Sequence, residues 1–312
     1  MSKYIDVKRL EFIITHSCSG NCRHCSNDWP DDNETIDTKA AVDAVNRLAK
    51  FYKIESIMTF GGEPLLYPGV VCAIHEAAGK NNIESRDIIT NGYFSDNRET
   101  IDATVQTLCE SGVTKILLSV DAFHQENIPM KPVLCFAESL LRHGFRGLMT
   151  NPAWLAGIDH DNAYNRKTRD IINTFREIGI DPSGGNIVFP AGRAVKNLAE
   201  YFPKPDKNEL FVPCGTMPYT GKIDDIGGIS IDPNGDVIIC SMSIGNIHKK
   251  DIIEIIEQYD PYSNMYTAML VEGGVKKLYN YLLEHGIVVN TEDCFSSCMV
   301  CNKIFKTAGI KL

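Results

Sequence analysis

Cys18, Cys22 and Cys25 lie within eleven residues, ThrHisSerCysSerGlyAsnCysArgHisCys, at C-x3-C-x2-C spacing. Three thiolates on one loop can hold three corners of a metal centre. A [4Fe–4S] cluster has four irons, so three protein ligands leave one iron open to a small molecule. The loop therefore reads as a reaction centre as well as a staple. A second run, Cys294, Cys298 and Cys301, repeats the spacing near the C-terminus, with Cys214 and Cys240 ahead of it. Four thiolates of that set would suit an iron–sulfur cluster or a tetrahedral zinc site. The other three cysteines, Cys72, Cys109 and Cys135, fall in helix-like runs and read as small core residues.

The chemistry-bearing residues follow strand-like runs. The segment 11–15 reads as a buried strand that delivers the cysteine loop. A run at 56–60 ends in Gly61-Gly62-Glu63-Pro64, and one at 86–89 ends in Thr90-Asn91-Gly92. In this order and at these intervals the motifs resemble the radical S-adenosylmethionine enzymes, over roughly the first 200 residues. One departure is His24, where the family often has an aromatic residue before the last cysteine; its planar ring can still pack on the cofactor.

The resemblance implies that the open iron binds the amino and carboxylate groups of S-adenosylmethionine. An electron from the cluster then cleaves the sulfonium C–S bond to give methionine and a 5′-deoxyadenosyl radical. The hard chemistry belongs to the cofactor. Gly61 and Gly62 lack Cβ and would let the backbone approach the methionine. Pro64 completes the motif, and the Glu63 carboxylate would meet the amino group. Asn91 would hydrogen-bond the cofactor or shape the turn before Gly92. Ser119 and Asp121 alternate onto one strand face, where the family holds the ribose. His124 and Gln125 would face substrate, Asn151 ends the fifth strand, and Arg193 follows the sixth, placed to pair with a carboxylate.

The elements that must position these residues alternate strand and helix, which argues for parallel βα units. Strands are expected at 9–15, 55–60, 85–90, 115–120, 145–150 and 185–189. Val42, Val45, Leu48 and Tyr52 mark an intervening amphipathic helix that Asp37 or Thr38 would cap. Six units are too few for a closed eight-stranded barrel and suit an open, partial (β/α)6 TIM-like barrel, with the chemistry at the C-terminal strand ends. Two prolines in 201–207 read as a linker, giving a barrel over 1–202 and a small α+β domain over 203–312. There, strands at 228–231 and 237–239 flank Asn234-Gly235, a strong hairpin signal. Helical runs follow at 250–259 and 264–285.

This second half resembles the SPASM and twitch extensions of radical enzymes. Five cysteines fall short of the full SPASM set, so one auxiliary cluster is expected. Cys214, Cys240, Cys298 and Cys301 match the twitch pattern, which leaves Cys294 as an alternative ligand, a spare thiol or a hydrogen donor. The resemblance implies a peptide or small-protein substrate, modified by thioether or carbon–carbon cross-linking or by epimerisation. It also implies an external electron donor such as flavodoxin or ferredoxin. Oxidation of a small molecule is the alternative, and a non-catalytic iron–sulfur electron carrier or redox sensor is the rival from another class. With seventeen residues before the first cysteine, no N-terminal peptide-recognition domain is expected.

Composition bounds the rest. The 312 residues are 44 % hydrophobic and 23 % charged, with a net charge of -9. That charge argues against nucleic acid, whose backbone requires basic patches. No run approaches the ~20 apolar residues of a membrane span. The N-terminus has no apolar signal-peptide core, so a cytoplasmic location is expected. In that reducing compartment eleven cysteines are expected as metal ligands and core residues rather than disulfides.

Overall fold

The computed structural model describes residues 2–28, 33–206, 208–217 and 220–308. Lys207 of the expected linker and residues 309–312 of the expected second domain lie outside them.

Eight strands form one sheet in the order β10-β9-β8-β1-β2-β3-β4-β5. The first five are β1 (Ile5–Ile13), β2 (Ser56–Phe60), β3 (Ser85–Thr90), β4 (Lys115–Leu118) and β5 (Leu148–Thr150), all parallel. Between them run α1 (Thr38–Leu48), α2 (Pro68–Lys80), α3 (Arg98–Glu110) and α4 (Met130–Arg142). Asp37 caps α1 as expected, its carboxylate accepting from Ala40 N at 2.7 Å. In β1 the outer face, Leu10 and Phe12, is buried under the helices, while Arg9 and Glu11 face the lumen. This is the partial-barrel α/β fold that the alternation predicts.

The expected sixth strand is present but broken. β6 (Ala153–Trp154) continues β5 and pairs in parallel with β7 (Asn186–Ile187) in a sheet of two strands. The pairing between these segments extends further: Ser183 N donates to Thr150 O at 2.8 Å and Val188 N to Trp154 O at 2.9 Å. Pro182, Pro190 and a left-handed Gly185 interrupt the ladder, which explains a two-residue strand where five residues are expected. Helices α5 (Ala163–Glu177) and α6 (Gly192–Leu198) flank it.

The Asn234-Gly235 hairpin forms, with β8 (Ile226–Ile231) antiparallel to β9 (Asp236–Ile239) and β10 (Met242–Asn246) added beyond. Its placement is not legible locally. β8 pairs in parallel with β1, from Ile5↔Ile226 to Phe12↔Ile231. This explains why β1 begins at Ile5, four residues before the expected strand. Ile229, Ile231 and Val237 join the barrel's own apolar core, together with Ile252 and Ile256 of α7 (Ile252–Gln258). Arg47 of α1 and Asp251 pair at 2.8 Å across the same junction. A separate apolar cluster holds α8 (Met265–Glu284) and α9 (Ser297–Ala308), through Leu278, Leu282, Val300 and Ile304. No helix of the described residues is long and apolar enough to cross a membrane.

His75 of α2 is fully buried, with its Nε2 3.0 Å from Thr59 Oγ1. Burial first, then the Arg86 charge, drops its imidazole to about 3. The unfolded chain takes up this proton near its ordinary value of 6.5, and the folded chain refuses it until far lower. The group's stabilising contribution is thus complete above pH 6.5 and is lost as pH falls toward 3. His75→Gln is expected to flatten the fall in melting temperature between pH 6.5 and 4, read by thermal circular dichroism. An acid limb as steep as that of the wild type would contradict it.

Candidate active site

The cysteine loop leaves the end of β1 and is pinned at its root. Thr15 bridges to Thr35, and its hydroxyl donates to Glu34 O at 2.6 Å. Cys25 N donates to Cys22 O at 3.3 Å, turning the loop so that the thiols converge. Gly20 N and Asn91 Nδ2 point at Cys18 Sγ from 3.4 and 3.6 Å. Burial, with smaller contributions from Glu63 and Cys25, pushes the Cys18 thiol up to about 11. Burial also raises Cys22, and Asp121, Cys18 and Cys25 add to the rise. Metal binding would deprotonate such thiols, since the thiolate is the ligand.

The Gly61-Gly62-Glu63-Pro64 turn is stitched to that loop. Gly62 N donates to Thr15 O at 2.8 Å and Glu63 N to Ser17 O at 2.9 Å. A Cβ on Gly62 would lie 2.0 Å from Ser17 O. One on Gly61, whose φ is +141°, would lie 2.6 Å from Thr15 O. The clearance expected to serve the methionine is thus used first by the cysteine loop. Glu63 is fully buried and turned inward. Its Oε1 accepts from Leu65 N at 2.9 Å and Thr90 Oγ1 at 2.6 Å, and its Oε2 from Asn91 N at 2.8 Å. Burial pushes the carboxyl up to about 7 against these donors. In place of the expected contact with an amino group, Glu63 ties the ends of β2 and β3 together. Pro64 is buried at the start of the short helical turn that follows.

Asp121 departs from the expected ribose contact. It is fully buried, and its oxygens accept four hydrogen bonds: from Phe123 N, His124 N and Ala153 N at 2.9 Å each, and from His124 Nδ1 at 2.8 Å. Burial raises its pKa, but the His124 charge and hydrogen bonds outweigh that and hold it well below the carboxylate range. With Nδ1 held by Asp121, His124 lines the lumen. Gln125 Oε1 accepts from Asp121 N at 2.9 Å and so braces the turn rather than facing substrate. His24 stacks on Phe123 with ring centroids 4.8 Å apart and meets His124 edge-on at 4.7 Å. Burial lowers its imidazole to about 4, and its buried Nδ1 has no protein partner.

Three adjoining cavities meet here. A cleft of about 410 Å³ is lined by Cys18, Cys25, Gly61, Gly62 and Arg193, and Arg193 also donates to Asn21 Oδ1. The lumen, about 650 Å³, is lined at its upper end by His24, Cys25, Ser119, His124 and Asn151. Asn151 accepts from Ser183 Oγ at 2.8 Å. Glu11, Ser26 and Phe189 line both the lumen and a third cavity of about 560 Å³, which reaches Cys240 and Cys298.

Cys240 ends β9 in a left-handed conformation, φ 58°, and Cys298 and Cys301 sit on the first turns of α9. Cys214 reaches them because α8 is interrupted at Gly274, φ +64°, where a Cβ would lie 3.3 Å from Pro213 Cα. Burial pushes Cys298 up to about 11, followed by the proximity of Cys240 and Cys214. Cys301 is raised by burial and then by Cys240, Cys214 and Cys298. Cys294 is apart: its thiol is raised by burial and Asp293, with no other cysteine contributing, and it packs into the α8–α9 apolar cluster. It lines none of the three cavities, so the hydrogen-donor expectation gains no support from its position.

Residues 12–201 match the model of the radical SAM superfamily. The chain belongs to that superfamily. Among curated relatives, GTP 3′,8-cyclase of Chlorobaculum tepidum is 24 % identical over 64 % of this chain and 63 % of its own length. A probable GTP 3′,8-cyclase of Methanocaldococcus jannaschii is 25 % identical over 39 % of each chain. The radical SAM chain thus spans less than two thirds of either relative. Among solved structures, Streptococcus suis SuiB bound to its precursor peptide SuiA has a TM-score of 0.54, with 15 % identity over 95 % of this chain and 76 % of that one. BtrN in complex with AdoMet and 2-DOIA has 0.50, with 18 % identity over 89 % and 91 %. At these identities the likenesses show the fold.

Radical SAM enzymes carry a [4Fe–4S] cluster and S-adenosylmethionine, and the residues fit both. Cys18 and Cys25 line a cleft that Gly61 and Gly62 also line, with Cys22 buried close to both. The buried Nδ1 of His24 has no protein partner, and His24 lines the lumen beside Cys25. Sequence reasoning missed Arg9, Glu11 and Asp87 in the lumen. For Arg9 and Glu11 the signal was there, charged residues at alternate positions of a strand whose other face is apolar, whereas Asp87 next to Arg86 shows no such pattern.

Proposed function

We propose that this chain is a radical S-adenosylmethionine enzyme of the SPASM/twitch kind, with a barrel over 1–202 and one auxiliary iron–sulfur cluster within 203–312. The reading rests on Cys214, Cys240, Cys298 and Cys301 lying close enough to act on one another's thiols, with Cys240 and Cys298 lining a cavity that adjoins the lumen.

With the cofactors bound, the site supplies a 5′-deoxyadenosyl radical that abstracts hydrogen from substrate. Cys18, Cys22 and Cys25 hold the radical cluster. Gly61, Gly62, Asn91 and Arg193 border the cofactor, and Ser119, His124 and Asn151 line the chamber beyond. An external electron donor such as flavodoxin or ferredoxin would supply the electron to the radical cluster. The substrate in this reading is a peptide or small protein. The precursor peptide bound by SuiB supports it, as does the exposed Ile187 at the lumen wall. Oxidation of a small molecule is the second reading, favoured by the likeness to BtrN in complex with AdoMet and 2-DOIA.

Anaerobic iron and zinc analysis tests the auxiliary centre. Two four-iron clusters require about eight irons per chain. About four irons with one zinc would replace the auxiliary cluster with a zinc staple. Release of 5′-deoxyadenosine by the reduced protein separates an enzyme from an electron carrier.

A further inference from the structure

The barrel wall ends at β7, and the outer edge of that strand is open. Asn186 N donates to Pro152 O at 2.8 Å and Val188 N to Trp154 O at 2.9 Å, both toward β6. Along a strand the N–H and C=O of one residue share a side, and the side alternates from residue to residue. The Ile187 N–H and C=O therefore point away from β6, and no described residue bonds to either.

Sequence and packing leave this edge bare. Proteins blunt open edges with charges, prolines or a covering element. Pro182 and Pro190 stand beyond the two ends, but Asn186 to Phe189 carry no charge. Val188 packs behind the strand with Phe123 and Leu155, so the alternation turns Ile187 and Phe189 to the lumen. Ile187 is 56 % exposed there.

The edge borders the gap that a closed barrel would fill. Phe189 lines both the lumen and the third cavity, as do Glu11 of β1 and Ser26. Gly227 and Gly228 of β8 also line the third cavity, both exposed, and a Cβ on Gly227 would meet nothing within 4 Å. The open space beside β7 is thus continuous with the lumen that Cys25 lines.

β7 is also held in register with the cysteine loop. At its start Trp154 Nε1 donates to Gly184 O at 3.1 Å. Past its end Ala194 N donates to Cys25 O at 3.1 Å, and a Cβ on Gly192 would clash with Ser26 O. An edge fixed at both ends is a pre-organised template, which lowers the ordering cost of binding.

We propose that the substrate is an extended peptide segment that adds as a strand to β7, its backbone pairing with the Ile187 N–H and C=O and its alternate side chains entering the lumen. The inference rests on the radical-enzyme reading and narrows its substrate to a peptide. In strand addition the main-chain bonds supply affinity and the pockets for alternate side chains supply selectivity. A compact small molecule has no run of amides to offer and would leave the edge unpaired.

The experiment is calorimetric titration of the reconstituted chain with S-adenosylmethionine present. The probes are the capped hexapeptide acetyl-Thr-Val-Thr-Val-Thr-Val-amide and the same peptide N-methylated at every residue, which lacks backbone N–H groups. Saturable binding of the first is expected, at least tenfold tighter than the second. Ile187→Pro removes the N–H on the open edge and should weaken binding at least tenfold, whereas Ile187→Val keeps it and should stay within threefold. Amide exchange at Ile187 should slow only when the peptide is bound. Circular dichroism checks folding, and the N-methylated peptide decides the question on the wild type should Ile187→Pro not fold. Absence of saturable binding to the wild type overturns the proposal. So does equal binding of the two peptides, or unchanged binding to folded Ile187→Pro. A dimer in gel filtration that Ile187→Pro dissociates would overturn it too, by giving the edge to a second copy. Release of 5′-deoxyadenosine is measured on the same wild-type sample. Its absence would count against the enzyme reading and leave the pairing result standing.

Discussion

Replacing Cys18, Cys22 and Cys25 together by alanine is expected to lower reductive cleavage of S-adenosylmethionine by more than a thousandfold. The same change should remove about four irons and leave about four, counting four per [4Fe–4S] centre. The reason is geometric. All three thiols come from one loop whose root is fixed by Thr15 and by Gly62 N, and the cysteines lining the adjoining cleft, Cys18 and Cys25, are both among them. Of the auxiliary cysteines, Cys214 and Cys301 pack against a different apolar cluster, so their centre should survive. Anaerobic iron analysis and 5′-deoxyadenosine release are the two measurements. Cleavage at the wild-type rate would end the assignment of this loop, and loss of all iron would show that the two centres assemble together.

Gly62→Ala should be nearly as damaging, although it removes no ligand. Its Cβ would sit 2.0 Å from Ser17 O, against backbone that cannot swing aside as a side-chain tip can. The turn and the cysteine loop must then separate, breaking Gly62 N to Thr15 O and Glu63 N to Ser17 O. A displacement of about 1 Å at a reacting centre costs on the order of a hundredfold. A drop of that size in cleavage rate is expected, with S-adenosylmethionine affinity reduced alongside. Gly69→Ala is the control, because nothing lies within 4 Å of its Cβ and the residue is helical. Equal behaviour of the two variants would show that close approach is not what Gly62 provides.

The sequence showed what depends on short spacing. The cysteine run and the glycine pair announce themselves because their neighbours along the chain do the work. The β8–β9 hairpin was legible for the same reason, through Asn234-Gly235. Contacts made across the chain were not legible. Nothing near Ile226 says that it will pair with Ile5, 221 residues earlier. Glu63 and Asp121 carry the right chemistry for ligand contacts. Yet each is held by protein donors, and a sequence does not tell which way a carboxylate turns. The sixth strand lies where the alternation places it and is shorter than expected, because alternation cannot weigh two prolines and a left-handed glycine against it.

The parallel pairing of β8 with β1 has a mechanical consequence. The strand that delivers Cys18 and the hairpin that delivers Cys240 are neighbours in one hydrogen-bonded sheet. The connection through residues 202–206 therefore carries little of the load between the halves. A protease that nicks it should yield two fragments that stay together through gel filtration and part only in denaturant. The C-terminal half would then not behave as a transferable cassette: excising it would strip β1 of a neighbour and leave an open edge beside the cysteine loop.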